Sequence, residues 1–301
     1  MDISLSVICP VYNEEKTLNI FYSNLKRSLD NCKKIKNYEI IFINNCSSDS
    51  TLKILKEFND KDAVKVITFS RNFGYQASIR CGLEFANMDY VTFIDTDGED
   101  PPEILIKLIE IINSENQIVY GERVDRHENV ILKNLRKLYY VICKYSSDVS
   151  MVLNMSEFLI FHKKMKSYLI NKNTNPFLRF EVANIGFKTI GYKYKRSKRI
   201  DGKSSYNIFG IIKFALNGYL TSSTFPLRVN SIISIITIIF CVFFVIIDFN
   251  LSKITVLLLM ILVLFQSLQS LYLARIYRNT ENRPIYIIDY ENSLEINNEK
   301  N

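Results

Sequence analysis

Tyr90-Val91-Thr92-Phe93-Ile94 runs without a break into Asp95-Thr96-Asp97-Gly98-Glu99-Asp100-Pro101-Pro102-Glu103. The first five residues are the apolar and β-branched types that suit a buried strand. The proline pair suits the opening of a helix, because proline presets φ and its missing N–H is not needed in the first turn. Between the two lie four carboxylates within six residues: Asp95, Asp97, Glu99 and Asp100. At that density they repel one another unless a cation sits among them. An oxygen-only set suits Mg²⁺ or Mn²⁺, hard ions that complete their shells with phosphate oxygens. Asp100, directly ahead of the prolines, reads as a helix cap, whereas Asp95 and Asp97 read as metal and nucleotide ligands at a strand end.

Working outward, the same alternation of textures fills the first 120 residues. Strand-length apolar runs fall at Leu5–Val11, Glu39–Ile43, Val64–Phe69, Tyr90–Ile94 and Ile118–Tyr120. Segments with helical spacing separate them: Lys16–Leu29, Thr51–Phe58, Gln76–Ala86 and Glu103–Ile112. This pattern predicts an α/β fold, a mostly parallel sheet with helices on both faces. Such sheets bind ligands outside the carboxyl ends of their strands. At those ends stand Pro10-Val11-Tyr12-Asn13-Glu14-Glu15, then Asn44-Asn45-Cys46-Ser47-Ser48-Asp49-Ser50-Thr51, then Ser70-Arg71-Asn72-Phe73-Gly74. Short polar side chains there can meet a base or ribose, but taken alone Asp49 reads better as the cap of the next helix. Arg71 is placed for a phosphate or a carboxylate.

The chain of 301 residues has room for one sizeable domain and something smaller. Its net charge of +7 is spread out, suits an anionic partner such as phosphate or acidic lipid, and does not mark a nucleic-acid binder. The six cysteines form no Cys-x-x-Cys pair and the two histidines are isolated, which argues against a zinc site. Met1-Asp2 leads straight into a strand, so the N-terminal domain is expected in the cytosol. Neither a Gly-x-Gly-x-x-Gly nor a P-loop occurs, which disfavours dehydrogenases and NTPases.

Past residue 120 the character changes. Ile131, Leu132, Leu135, Leu138, Tyr139 and Ile142 form a stripe at helical spacing among Lys133, Arg136, Lys137 and Lys144. Such a helix suits either the protein core or the plane of a membrane interface; Ile208–Leu220 is a second interfacial candidate. Two uncharged runs follow, Val229–Ile247 and Ile254–Ala274. The first would rise roughly 28 Å as a helix, against a hydrocarbon core of about 30 Å. Both are expected to span, with Gln266, Ser267, Gln269 and Ser270 of the second facing the first helix or a neighbouring subunit of a homo-oligomer. Basic residues outside the pair (Lys213, Arg228, Arg275, Arg278, Arg283) place both termini in the cytoplasm by the positive-inside rule. The expected division is a cytosolic domain over 1–225, a membrane pair over 226–275 and a cytosolic tail over 276–301. Glu291–Asn301 reads as a disordered polar tail.

Taken in order, these pieces resemble the family-two inverting glycosyltransferases, and among them the dolichol-phosphate-mannose-synthase-like branch with the bacterial polyprenyl-phosphate glycosyltransferases. The resemblance is carried by PVYNEE at Pro10, SRNFG at Ser70 with Gly82-Leu83, DTDGEDPPE at Asp95, GKSSY at Gly202, the paired C-terminal spans and Arg283-Pro284-Ile285-Tyr286. It implies a glycosyltransferase A-type Rossmann-like sheet and transfer from a nucleotide-sugar donor, expected to be a UDP-sugar, to a polyprenyl phosphate or other lipid-linked acceptor at the inner membrane. It further implies that Pro10, Tyr12, Glu14, Asn45 and Asp49 line the nucleotide pocket, that Asp95 contacts nucleotide or sugar, and that Asp97 holds Mg²⁺ or Mn²⁺ against the diphosphate. Glu157 falls where the branch carries an Asp, and Arg199, Ser204 and Tyr206 match an element placed near the phosphates. Asp97, Glu157 and Arg199 are thus the candidate catalytic residues. Arg123, Arg126, Arg179 and Lys203 are candidates for the acceptor phosphate.

Three positions depart from the branch pattern: Asn45 in place of an acidic residue, Leu159 in place of an arginine, and Phe180 in place of a glycine. The alternatives are transfer to a sugar hydroxyl of a lipid-linked or surface glycan, and a non-catalytic nucleotide-binding membrane subunit. Processive synthases carry a Gln-x-x-Arg-Trp element, and this chain has no tryptophan.

Overall fold

A computed structural model describes residues 2–58, 63–124, 130–148, 155–170, 178–197, 215–216, 218–220, 223–246, 251–281 and 283–294. In chain order the first elements are β1 (Ile3–Val11), α1 (Leu18–Asp30), β2 (Ile35–Asn44), α2 (Thr51–Phe58), β3 (Val64–Phe69), α3 (Tyr75–Phe85), β4 (Tyr90–Phe93), α4 (Pro102–Ile111) and β5 (Ile118–Arg123). They agree closely with the run of strands and helices expected from the sequence. There follow α5 (Val130–Ser146), β6 (Met155–His162), α6 (Lys166–Leu169), α7 (Leu178–Ile185), β7 (Thr189–Tyr194), α8 (Phe225–Ile246), α9 (Leu251–Thr280) and β8 (Ile288–Leu294).

The strands form one eight-stranded sheet in the order β7-β5-β6-β4-β1-β2-β3-β8. β1 pairs parallel with β2 and β4, β2 with β3, and β5 with β7. β6 runs antiparallel to both β4 and β5, and β8 antiparallel to β3. One consequence decides where the chemistry sits. The carboxyl ends of β1 to β5 and β7 share an edge with the amino end of β6, so Glu157 near the start of β6 faces the same rim as Asp95. β1 and β4 are buried almost throughout, as central strands covered on both faces must be. One apolar cluster packs α1, α2 and α4 on one face, and a second packs α3, α6 and α7 on the other.

Two sequence expectations are corrected here. Glu291–Leu294 is not a disordered tail, because it completes β8 against β3. The segment is polar because an edge strand needs to bury little, so composition hid it. Asp100 does not cap α4: Pro101 holds the cap position and no side-chain bond is made there.

α3 lies tight on β1 because Gly82 has no side chain. A Cβ at that position would stand 2.2 Å from Cγ2 of the fully buried Ile8. Among the described residues one stretch, Leu258–Thr280, is long and apolar enough to cross a membrane, and Phe225–Thr237 is a shorter apolar helical stretch. The base of α8 is pinned to the end of α5. Asp148 accepts from the Thr224 N–H at 2.7 Å and from Arg228 Nη2 at 2.8 Å, and Ser223 Oγ donates to the Ser146 carbonyl. The Thr224 amide, foremost, and Arg228 hold the Asp148 carboxyl below its usual range. On α5, Leu135, Leu138, Val141, Ile142 and Tyr145 are exposed, whereas Cys143 is buried.

Gly82→Ala should lower stability by about 1–3 kcal/mol through overpacking against Ile8. Urea denaturation of the detergent-solubilised protein measures this, and an unchanged midpoint would show that α3 can lift from β1 without cost.

Candidate active site

At the rim, the turns after β1 and β2 are buckled together. Asn13 and Cys46 both take left-handed backbone conformations, with φ of 55° and 60°. Asparagine tolerates this region better than most residues, and its side chain then bonds locally. Asn13 Oδ1 accepts from Ser48 N at 2.8 Å, while Asn13 N donates to Ser47 Oγ at 3.0 Å. Glu14 N donates to Thr51 Oγ1 at 2.9 Å, and Glu14 Oε2 accepts from Thr17 Oγ1 at 2.7 Å. Asp49 caps α2 by accepting from Thr51 N at 3.0 Å, and its other oxygen accepts from Glu15 N at 3.3 Å. The result is a rigid wall built from both motifs.

Three of the expected nucleotide residues lie on or behind that wall. Pro10 is buried, and its carbonyl accepts from Thr96 Oγ1 at 3.2 Å, tying β1 to the acidic loop. Tyr12 is 44% exposed, an aromatic face left open at the end of a buried strand. Asn45 is buried; its Oδ1 accepts from Phe73 N at 2.9 Å and its Nδ2 donates to Asn72 Oδ1 at 3.1 Å. The Asn45 amide thus braces the Ser70–Gly74 loop and keeps one carbonyl lone pair beyond that bond.

The acidic loop is organised around Asp100, which is fully buried. Its carboxylate accepts from Arg123 Nη2 at 2.5 Å and from Tyr194 OH, with Arg196 Nε 3.5 Å away. Arg196 Nη1 also pairs with Glu99, and Ser197 N donates to the Glu99 carbonyl at 2.9 Å. The start of the segment that leads to Arg199 is therefore tied to this loop. Arg123 Nη2 comes within 3.9 Å of Asp95 Oδ2, and Tyr75 OH donates to Asp95 Oδ1 at 2.9 Å. Burial, then the carboxylates of Asp100 and Asp97, push the Asp95 carboxyl up to about 7 against the opposing pull of Arg123 and Tyr75. Asp97 and Asp100 thus stand with Asp95 around one guanidinium, and a divalent cation suits such a group of carboxylates. Asp97 is buried, with Oδ1 accepting from Glu99 N at 3.0 Å. Among the described residues no three His, Cys, Asp or Glu side chains converge as a metal cage. A magnesium-type ion bound here would take few protein ligands and complete its shell from phosphate oxygens.

On the far side of Asp95 stands Glu157, also buried. Gln76 Nε2 donates to Glu157 Oε1 at 2.9 Å, and Gln76 Oε1 accepts from Leu178 N at 3.4 Å. Arg179 Nε lies 4.0 Å from the same carboxylate oxygen and is buried with no hydrogen-bond partner among the described residues. Burial, followed by Asp95 and Glu157, raises the Tyr75 phenol well above its ordinary range and keeps it a donor. Asp95, Asp97, Glu157, Arg123 and Arg179 are thus gathered at one rim. Arg199, Ser204, Tyr206, Arg126 and Lys203 lie outside the described residues. Tyr75, Gln76, Tyr194 and Arg196 were not singled out in the sequence. The first two directly follow Ser70–Gly74, a signal that was present; Arg196 sits in a basic cluster indistinguishable from a solvated surface.

This sheet with its acidic rim is the mixed α/β glycosyltransferase A-type fold. The glycosyl transferase family 2 model matches residues 6–186, and the chain belongs to that family; it is a glycosyltransferase. It is 31% identical to the uncharacterized glycosyltransferase YkcC of Bacillus subtilis over 97% of this chain and 95% of that protein. It is 28% identical to the SfII prophage-derived bactoprenol glucosyl transferase of Shigella flexneri over 95% of this chain and 97% of that one. Glucosyl-3-phosphoglycerate synthase from Mycobacterium tuberculosis, solved with Mn²⁺, UDP-glucose and phosphoglyceric acid, shares the fold. The TM-score is 0.51 at 15% identity, covering 71% of this chain and 76% of that chain.

Removing Asp100 leaves two guanidinium groups beside an empty buried position. Asp100→Ala should cost about 3–5 kcal/mol, and Tyr194→Phe, which loses one hydrogen bond to a charged group, about 1.5–3 kcal/mol. Equal losses in paired denaturation curves would show that the carboxylate is not the centre of the network.

Proposed function

We propose that the protein transfers a sugar, with inversion, from a UDP-sugar to a polyprenyl phosphate at the cytoplasmic membrane face, with the aid of Mg²⁺ or Mn²⁺. The observation that carries this reading is the convergence of Asp95, Asp97, Glu157, Arg123 and Arg179 on one sheet edge. The bactoprenol glucosyl transferase named above supports the acceptor class.

In this reading the uridine lies against the wall of Tyr12, Glu14 and Asn45, with the Asn45 carbonyl accepting from the base. Asp97, with Asp95 beside it, holds the metal, which when bound neutralises charge on the departing diphosphate. An acceptor phosphate oxygen attacks the anomeric carbon from the side opposite the diphosphate. The new carbon–oxygen bond forms as the old one breaks, and its electron pair leaves with the nucleoside diphosphate. Phosphate is already an anionic nucleophile, so no strong general base is required. Glu157, oriented by Gln76, steadies the positive charge that develops on the sugar ring, and Arg179 and Arg123 hold the acceptor phosphate. Arg199, Ser204 and Tyr206 join the diphosphate end.

Sheet topology supports a membrane hairpin. β8 lies in the same sheet as β1 to β7, so the chain up to Ser197 and the chain from Ile288 share one side of any bilayer. The segment between them crosses an even number of times. A single crossing by α9 would strand β8 on the wrong side, and α8 is the apolar helix placed to make the other passage. The outward apolar residues of α5, joined to the base of α8, then rest in the membrane interface.

A panel of nucleotide sugars run against undecaprenyl phosphate, with products read by mass spectrometry, tests the reaction. Asp97→Asn should lower transfer by about a hundredfold or more and abolish stimulation by Mn²⁺. Product found only on a glycan hydroxyl would replace the acceptor, and undiminished turnover would remove the metal role. For topology, Asn250→Cys should react with a membrane-impermeant thiol reagent on sealed cells, whereas the exposed Cys46 should react only after permeabilisation. Labelling of both from outside would refute the hairpin.

A further inference from the structure

Beyond α9 the chain turns back along the ligand rim before β8 begins. The Ile287 carbonyl accepts from Ser70 N at 3.0 Å. The Tyr286 ring stacks on Phe69, with centroids 5.1 Å apart and planes 15° from parallel, and Phe69 meets Phe73 edge-on at 5.7 Å. Tyr286 OH donates to Glu84 Oε2 at 2.6 Å, and Arg80 Nε donates to the other oxygen of Glu84 at 2.7 Å. Ile285, Tyr286 and Ile288 pack on the core that holds Ile79, Cys81 and Leu83 of α3. The returning segment therefore holds α3 directly at Glu84 in its last turn, and reaches the residues ahead of its first turn through the ring relay of Phe69 and Phe73.

The first turn of α3 carries Tyr75 and Gln76, which reach Asp95 and Glu157. That turn has no side-chain cap, its N-cap being Gly74 at φ 89°; besides the Tyr286 seat it is held by the Asn45 bond to Phe73 N and by the buried Ala77, Ser78 and Ile79. We propose that Tyr286 is a positioning residue for sugar transfer, seating α3 so that Tyr75 and Gln76 hold the two carboxylates of the site at working distance. The inference rests on the transfer reading for the roles of Asp95 and Glu157. It adds that the site is complete only once the chain has returned from the membrane helices. Misplacement of such groups by an ångström is enough to cost about a hundredfold in rate, so a seat this far from the chemistry can control it.

Hydrogen exchange on the full-length protein in detergent, comparing wild type with Tyr286→Ala and Tyr286→Phe, tests the seat without any substrate. Faster exchange should be confined to the amides of residues 73–80, with β1 and β2 unchanged. Tyr286→Phe, which keeps the stack and loses the Glu84 bond, should show a smaller rise in the same place; it carries the measurement should the alanine variant not accumulate. In transfer assays Tyr286→Ala should lower kcat about tenfold or more while donor KM stays within about twofold. Adding Gln76→Ala should lower kcat little further, because both changes act on the same carboxylate. Exchange rising evenly over the sheet, or losses from the two substitutions that multiply, would overturn the proposal. A wild-type protein that transfers no sugar would reject the transfer reading alone, leaving the exchange result to decide the seat.

Discussion

The structure depends on a carboxylate that cannot stand alone. Asp100 is fully buried at the amino end of α4, where an unpaired charge would be prohibitively costly. Arg123 from the end of β5, Tyr194 from the end of β7 and Arg196 just beyond it close around it. Satisfying this one group therefore fixes the ends of β5 and β7 against the acidic loop. It also sets Arg123 Nη2 within 3.9 Å of Asp95. In the proposed transfer this gathering of carboxylates is where a diphosphate and its ion would arrive.

Much of the fold was legible because parallel strands covered on both faces need long apolar runs, and helices between them need an apolar stripe. Leu5–Val11, Val64–Phe69 and Thr51–Phe58 carry those patterns plainly. β6, β7 and β8 were not expected: β6 and β8 run against the rest of the sheet, and β7, though parallel to β5, lies past the strand-helix alternation of the first 120 residues that served as the guide. β8 is also an edge strand whose Asp289, Glu291 and Asn292 look like tail composition. Within the site, Asp95, Asp97 and Asp49 could be placed from their strand-end positions. The purpose of Asp100 could not. A carboxylate ahead of Pro-Pro reads as a cap until the distant Arg123 and Tyr194 are seen around it, and their contact is set by tertiary pairing alone.

The two reversed strands also explain how separate stretches of chain meet at one rim. β6 delivers Glu157 from its amino end, beside the carboxyl ends of its neighbours. β8 begins where β3 ends, pairing Ile288 with Phe69, so the chain returning from α9 enters at the ligand edge. In the proposed transfer, an acceptor embedded in a bilayer and a donor held on the sheet would be brought together by the same topology that closes the sheet.

The departures from the family pattern acquire a physical sense at this rim. Leu159 is fully buried beneath α7 and packs in the core, so β6 supplies no cation next to Glu157. The guanidinium near that carboxylate comes from Arg179 on α7, across space rather than along the strand. Gln76 then takes the Glu157 oxygen that Arg179 approaches without bonding, which leaves the Arg179 Nε donor buried and unsatisfied among the described residues. A buried donor in that state costs about 1–3 kcal/mol. The fold tolerates the cost most readily if the group is completed by an anion during the reaction, which is the part the transfer reading gives to the acceptor phosphate.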